Sequence, residues 1–154
     1  VINALIESHP YEEEAYDIYS LDNKFEKTGM GMVGILPEPM SELDFLHHVK
    51  SKFNCKIIRH TALRGNKIVK VAVCGGSGSF LINNAISEKA KIFITGDIKY
   101  HQFFDAENRI ILADIGHFES EQFTKELFYE LLTKKFPTFA VRFSEVNTNP
   151  VLYF

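Results

Sequence analysis

Between residues 68 and 143, short runs of β-branched and aromatic residues alternate with segments whose apolar residues repeat at helical spacing. This alternation limits the folds open to the chain more than any other feature. Strands are expected at residues 68–74, 91–95, 109–113 and 139–143, with an earlier one at 56–59. Helices are expected over residues 79–88, 98–107 and 118–134, and in the last Phe123, Leu127, Phe128, Leu131 and Leu132 make one apolar face. Strand, helix, strand in succession gives an α/β fold, a mostly parallel sheet with flanking helices, because parallel neighbours need a long crossover. In such sheets ligands bind in loops after the carboxyl ends of strands, so chemistry is sought there.

Ahead of this block the pattern is less regular. Ile2, Leu5 and Ile6 have helical spacing over residues 2–8, and Pro10 stops that helix. Residues 13–21 read as a strand. Residues 22–40 carry Gly29, Gly31, Gly34, Pro37 and Pro39 around the apolar stretch 32–36, and this concentration of turn formers reads as a boundary. Ser41, Glu42 and Asp44 then start a helix with Phe45, Leu46, Val49 and Phe53 on one side. Because the chain starts Val1-Ile2-Asn3, already in helical spacing, it is expected to be the later part of something longer.

Several function classes are disfavoured. No apolar run approaches the roughly 20 residues of a membrane-spanning helix. Lys and Arg number 17 against 20 Asp and Glu, and a net charge of −3 provides no field to draw in a nucleic acid. Cys55 and Cys74 are too few for a disulfide framework, so the expectation is a reduced, cytoplasmic protein.

Three loops follow strands. In Cys74-Gly75-Gly76-Ser77-Gly78-Ser79 the glycines could expose backbone N–H groups as an anion nest, or serve as a tight turn needing positive φ. The Walker and dinucleotide patterns are absent, since no Lys-Ser/Thr pair follows and position 80 is Phe. The second loop holds Asp97 and His101, the third His117 and Glu121, each pair four residues apart at an expected helix start. Imidazole and carboxylate on one helix face can converge on one divalent ion. The alternative for either pair is helix capping, for which Asp97 is a suitable residue. Two such pairs in successive loops of one sheet edge favour a metal site, or metal-assisted hydrolysis. His47 and His48 point about 100° apart, away from the apolar stripe, and read as solvated. His60 reads as a surface group, Cys74 as a buried thiol, and His9-Pro10-Tyr11-Glu12-Glu13-Glu14 as a solvated acidic run.

At these residues the chain resembles the Nif-three-like, dinuclear metal centre family, often labelled GTP cyclohydrolase I type 2 homologs. The resemblance rests on Gly29-Met30-Gly31-Met32-Val33-Gly34 with Leu36-Pro37-Glu38-Pro39-Met40, on Val71-Ala72-Val73-Cys74-Gly75-Gly76-Ser77-Gly78-Ser79 and on Ile94-Thr95-Gly96-Asp97-Ile98-Lys99-Tyr100-His101. Asp114-Ile115-Gly116-His117 with Glu121, and Asn149-Pro150, complete it. Residues 23–154 resemble the family's C-terminal half. Residues 1–22, with Ala4-Leu5-Ile6 and His9-Pro10-Tyr11-Glu12-Glu13, resemble the end of the ferredoxin-like CutA-like or PII-like module that many bacterial members carry inserted between their halves. The resemblance implies a subunit whose halves enclose a pair of divalent ions, zinc foremost with manganese or iron as alternatives, assembled as a toroidal homohexamer. It implies His117 and Glu121 as metal ligands, with Glu121 bridging. Asp97, His101, Gly75, Gly76, Ser77 and Gly78 line the same cavity, behind the ligands or against substrate. The remaining ligands, a His-His pair and an Asp, would belong to the half absent from this sequence. The implied function is a metal-dependent hydrolase opening a nucleotide ring, that of GTP. The alternative is a non-enzymatic hexameric metal-binding scaffold or regulator that senses a small molecule through the inserted module.

Overall fold

The computed structural model describes residues 2–11, 13–19 and 28–154. Five strands, β1 (Met32–Ser41), β2 (Arg59–His60), β3 (Lys67–Ser77), β4 (Ile92–Gly96) and β5 (Ile111–Asp114), form one sheet in the order β1-β3-β4-β5-β2. β3, β4 and β5 run parallel, while β1 and β2 are antiparallel edges. The sheet is therefore mixed, with the expected parallel arrangement at its centre. Every residue of β4 and β5 is buried, as strands covered on both faces require.

Helices α1 (Ile2–Ser8), α2 (Glu42–Lys52), α3 (Ile82–Ser87), α4 (His117–Glu121) and α5 (Thr124–Lys135) complete the regular structure with tight helical turns at Ser79–Leu81 and Tyr100–Ala106. The pleat divides the core in two. Val71, Ile92, Ile94 and Ile111 meet Phe45, Leu46 and Val49 of α2 on one face. Ala72, Phe93 and Leu112 meet Ile82 and Ala85 of α3 on the other. α2 starts as expected: Ser41 Oγ accepts from the Asp44 backbone N–H at 3.1 Å and acidic residues occupy the first turn.

Elsewhere the elements depart from expectation for identifiable reasons. The turn-rich segment around residues 32–36 is the edge strand β1, and it contains Pro37 and Pro39. The pairing slips between Ile35↔Lys70 and Met40↔Ile68, so both prolines sit in a bulge where no ladder hydrogen bond is lost. The strand expected at 56–59 is confined to Arg59–His60, and its antiparallel pairing with β5 takes the place that a fourth parallel strand at 139–143 would need. Residues 139–143 consequently form no strand, and the Phe143 ring stacks on Tyr129 of α5 at 4.5 Å. Residues 13–19 pair with no described strand, and the end of that expected element and the boundary at 22–23 lie outside the described residues. The helix expected at 98–107 is the tight turn Tyr100–Ala106, bracketed by the left-handed backbones of Asp97 (φ 55°) and Glu107 (φ 44°). The segment expected as one helix at 118–134 breaks into α4 and α5, and α5 buries no residue: Phe123, Leu127, Phe128, Leu131 and Leu132 are all exposed. Among the described residues no helix is long and apolar enough to cross a membrane.

The loop before β3 is tied to α2 by the buried carboxylate of Glu42. Its oxygens accept from the backbone N–H groups of Arg64 at 2.8 Å, Gly65 at 2.9 Å and Asn66 at 3.1 Å. Charge-assisted bonds of this kind are worth more than neutral ones, and truncation strands all three donors. Glu42→Ala is expected to destabilise the protein by about 3 kcal/mol in urea unfolding, whereas Glu42→Gln, which keeps one acceptor oxygen, costs roughly half as much. Equal stability of Glu42→Ala and the parent would show that the loop is held by other contacts.

Candidate metal centre

The loops after β3, β4 and β5 meet at the carboxyl end of the sheet, and the carboxylate of Asp114 joins two of them. Asp114 ends β5 and is 4% exposed. Its Oδ2 accepts from the Ile98 backbone N–H at 2.9 Å and its Oδ1 from that of Gly116 at 3.0 Å. The guanidinium of Arg59, its cross-strand partner on β2, donates to the same Oδ2. A buried carboxylate so supplied with donors is tolerable, and it holds the loops that carry Asp97 and His117 in one register.

Within that frame four side chains form a line. Ser77 Oγ donates to Asp97 Oδ2 at 2.5 Å, His117 Nδ1 donates to the same oxygen at 2.7 Å, and His117 Nε2 lies 3.2 Å from Glu121 Oε2. The hydrogen bonds from Ser77 and then His117 stabilise the ionised Asp97 carboxyl and hold its pKa below the usual value. The bond to Asp97 in turn raises the pKa of the His117 imidazole above its ordinary value. With its Nδ1 proton on Asp97, a neutral His117 would direct the lone pair of Nε2 at a carboxylate oxygen. Two acceptors face each other, and only a cation between or beside them, a proton or a metal ion, makes the arrangement favourable.

The glycines of the first loop serve this line by their lack of side chains. Gly76 has φ of 62°, and a Cβ there would stand 2.6 Å from Glu121 Oε1 and 3.2 Å from His117 Cε1. Its N–H donates to Ser120 Oγ at 2.8 Å, and that of Gly78 to the buried Thr95 Oγ1 at 2.9 Å. With both of these N–H groups engaged, the tight-turn reading of the loop describes it better than an open anion nest. Gly75 lies against the Glu121 side chain.

The expected pairings are redistributed. His117 and Glu121 come together on α4. Asp97 pairs with His117 and not with His101, because residues 97–99 are not helical and the four-residue spacing does not bring them to one face. Asp97 is not a helix cap either, since Lys99 precedes the Tyr100–Ala106 turn. His101 is exposed, with its ring edge-on to Tyr100 at 5.2 Å. His47 and His48 are exposed on α2, His48 stacked on Phe45, and the exposed His60 turns Nδ1 to the Thr61 carbonyl at 2.7 Å. Cys74 is buried, and burial pushes its thiol up, away from nucleophilic use. Asp114 and Arg59 are cleft residues that sequence patterns did not single out. A charged residue closing the apolar run Ile111-Leu112-Ala113 was the available signal for Asp114, and Arg59 had none.

Asp97, His117, Glu121, Arg59 and Asp114 line one cleft of about 1060 Å³, closed on its far side by Lys125, Glu126, Phe128 and the segment around Thr148–Tyr153. An imidazole nitrogen and a carboxylate oxygen 3.2 Å apart suit neighbouring positions on a divalent ion, whose bonds to such donors are about 2.0–2.2 Å. A carboxylate on the other imidazole nitrogen is the usual support of a metal-bound histidine. Among the described residues no group of three His, Cys, Asp or Glu side chains could hold a metal ion by itself. His117 and Glu121 alone are fewer donors than a bound ion requires.

Comparison with known proteins agrees with this fold. The chain is 37% identical over 158 residues to a Staphylococcus epidermidis protein named GTP cyclohydrolase 1 type 2 homolog, an alignment covering 97% of this chain and 42% of that protein. A Bacillus subtilis protein of the same name is 37% identical over 159 residues, covering 99% of this chain and 42% of its own length. The crystal structure of a Bacillus cereus protein related to NIF3 superposes with a TM-score of 0.71 at 36% identity, over 99% of this chain and 43% of that one. The chain thus spans less than half the length of the curated relatives it matches. A family model, Duf34/NIF3 (NGG1p interacting factor 3), matches residues 4–150, and with the shared fold and these identities it places the chain in the Duf34/NIF3 family.

Proposed function

We propose that this chain supplies one side of a dinuclear divalent-metal centre, and that the complete protein is a metal-dependent hydrolase acting on a nucleotide, with GTP the substrate that the relatives' name suggests. The observation that carries the reading is the 3.2 Å approach of His117 Nε2 to Glu121 Oε2 while Nδ1 is held by Asp97. When His117 is neutral with its proton on Nδ1, Nε2 and the Glu121 carboxylate are two ligand atoms aimed at one place. His117 and Glu121 would hold the ions together with residues outside this chain. Zinc suits imidazole and carboxylate best, and manganese or iron would also accept them. Bound ions would supply Lewis acidity, making water a stronger acid near neutral pH.

The chain's own residues prepare that chemistry. Asp97 fixes the His117 tautomer and ring orientation, and Ser77 fixes Asp97. Gly76 leaves the space that the Glu121 carboxylate occupies. A homohexameric ring belongs to the same proposal, and the exposed apolar side chains of α5 offer surface for a neighbouring part of such an assembly.

In the full-length protein, His117→Ala and Glu121→Ala are each expected to lower metal content, measured by elemental analysis, to one ion or fewer per subunit. GTP turnover should fall below detection in both. Full turnover in either variant overturns the hydrolase reading. Metal loss without any turnover in the parent favours the non-enzymatic scaffold instead.

The pH dependence has a definite sign. A metal ion and a proton compete for His117 Nε2, and Asp97 raises the pH below which the proton wins. Metal loading should fall as pH drops through that raised value. Asp97→Asn removes the cause, so His117 of the metal-free protein should titrate at lower pH than in the parent, while metal affinity at pH 8 falls about 10–100-fold through loss of the supporting carboxylate. An NMR titration of the His117 ring without metal and a chelator competition at pH 8 measure the two effects separately, and a parent-like result in both would remove Asp97 from the centre.

A further inference from the structure

Arg59 is an exposed guanidinium fixed by a buried carboxylate. Its Nη2 donates to the Ile98 carbonyl at 2.9 Å and to Asp114 Oδ2, and its plane lies over the Phe103 ring at 5.5 Å from the centroid. The Asp114 side chain is 3% exposed and that of Arg59 57%. Both contacts use one nitrogen, and among the described residues Nε and Nη1 have no hydrogen-bond partner. The N–H of Nε and the two of Nη1 therefore remain on a side chain that lines the same cleft as Asp97, His117 and Glu121.

We propose that Arg59 takes a phosphate group of the substrate at the edge of the cleft, so that the substrate class is a phosphorylated, anionic molecule and not the free nucleoside. This inference rests on the functional reading above and deepens it. The free N–H groups of Nε and Nη1 can each donate a charge-assisted hydrogen bond to a phosphate oxygen, and a guanidinium already held by Asp114 and Phe103 loses little freedom on binding. Lys125 is the other cation lining the cleft, but it has no ion-pair or hydrogen-bond partner among the described residues to hold it in place. The glycine loop is a weaker candidate, because the N–H groups of Gly76 and Gly78 already donate within the chain.

The test is calorimetric titration of the metal-loaded full-length protein with GTP, inorganic pyrophosphate and guanosine. Arg59→Lys keeps a cation beside Asp114 but lacks the Nε and Nη1 donors, and Arg59→Met removes both. Each is expected to weaken GTP and pyrophosphate about 10-fold or more, with Met the larger loss, and to leave guanosine within about twofold of the parent. Metal content is measured on the same samples and should remain that of the parent. Should Arg59→Met melt early because Asp114 is left unpaired, the Lys variant carries the comparison. Unchanged GTP and pyrophosphate affinity in the folded variants, equal loss of guanosine, or no binding of either anion by the parent overturns the proposal. Full metal content in His117→Ala would instead remove the metal-centre reading, and the pyrophosphate comparison would still decide the role of Arg59.

Discussion

Three pieces of chain far apart in sequence meet at the carboxylate of Asp114: the two-residue strand β2, the loop after β4 and the loop after β5. A charge at that depth is costly unless donors surround it, and here two backbone N–H groups and a guanidinium do so. The same donors are the parts that must be aligned if the cleft is to have a defined shape. Ile98 N–H places the Asp97 loop, Gly116 N–H places the start of α4, and Arg59 is drawn to the rim. Desolvating one carboxylate thus fixes the relative positions of the groups that carry the chemistry.

Close approach of backbones completes the arrangement. A Cβ at Gly96 would lie 2.9 Å from atoms of Gly116 and His117, so the loops after β4 and β5 are in direct contact where the imidazole emerges. Asp97, next in the chain, adopts a left-handed backbone with φ of 55°, which costs more for a side-chain-bearing residue than for glycine. The chain is anchored on both sides of it, Thr95 two residues before by bonds to the first loop and Ile98 just after by Asp114. That conformation turns the carboxylate toward Ser77 and His117 instead of along a helix axis. The strain falls on the residue that holds the His117 ring.

This explains how far the sequence could be read. The parallel centre of the sheet was legible because buried β4 and β5 are continuous apolar runs, and α2 was legible from its cap and stripe. His117 with Glu121 was legible as well, since their spacing is a property of one short helix. Asp97 was singled out as a candidate but paired with His101, whereas the structure pairs it with His117. Spacing along a helix says nothing of residues in a left-handed turn, and the contact to His117 crosses between two strands. Strand 139–143 failed because pattern does not reveal that an antiparallel pair, Arg59–His60, already occupies the edge. Pro37 and Pro39 hid β1 because proline argues against a strand unless a bulge accommodates it.

The charge distribution of the cleft ties these points to function. Asp97, Asp114, Glu121 and Glu126 line it, against Arg59 and Lys125, and an anion entering the chain as it stands would meet more repulsion than attraction. One carboxylate, Asp114, is neutralised internally by Arg59. Asp97 and Glu121 both lie against the imidazole of His117, which can take one proton and cannot balance two carboxylates. Added positive charge, from ions held with the help of residues outside this chain, would reverse the balance. The same feature that makes His117 and Glu121 fit a cation then makes the loaded cleft attractive to a phosphorylated substrate. Metal and anion binding would be coupled through the field of one cleft, each favouring the other.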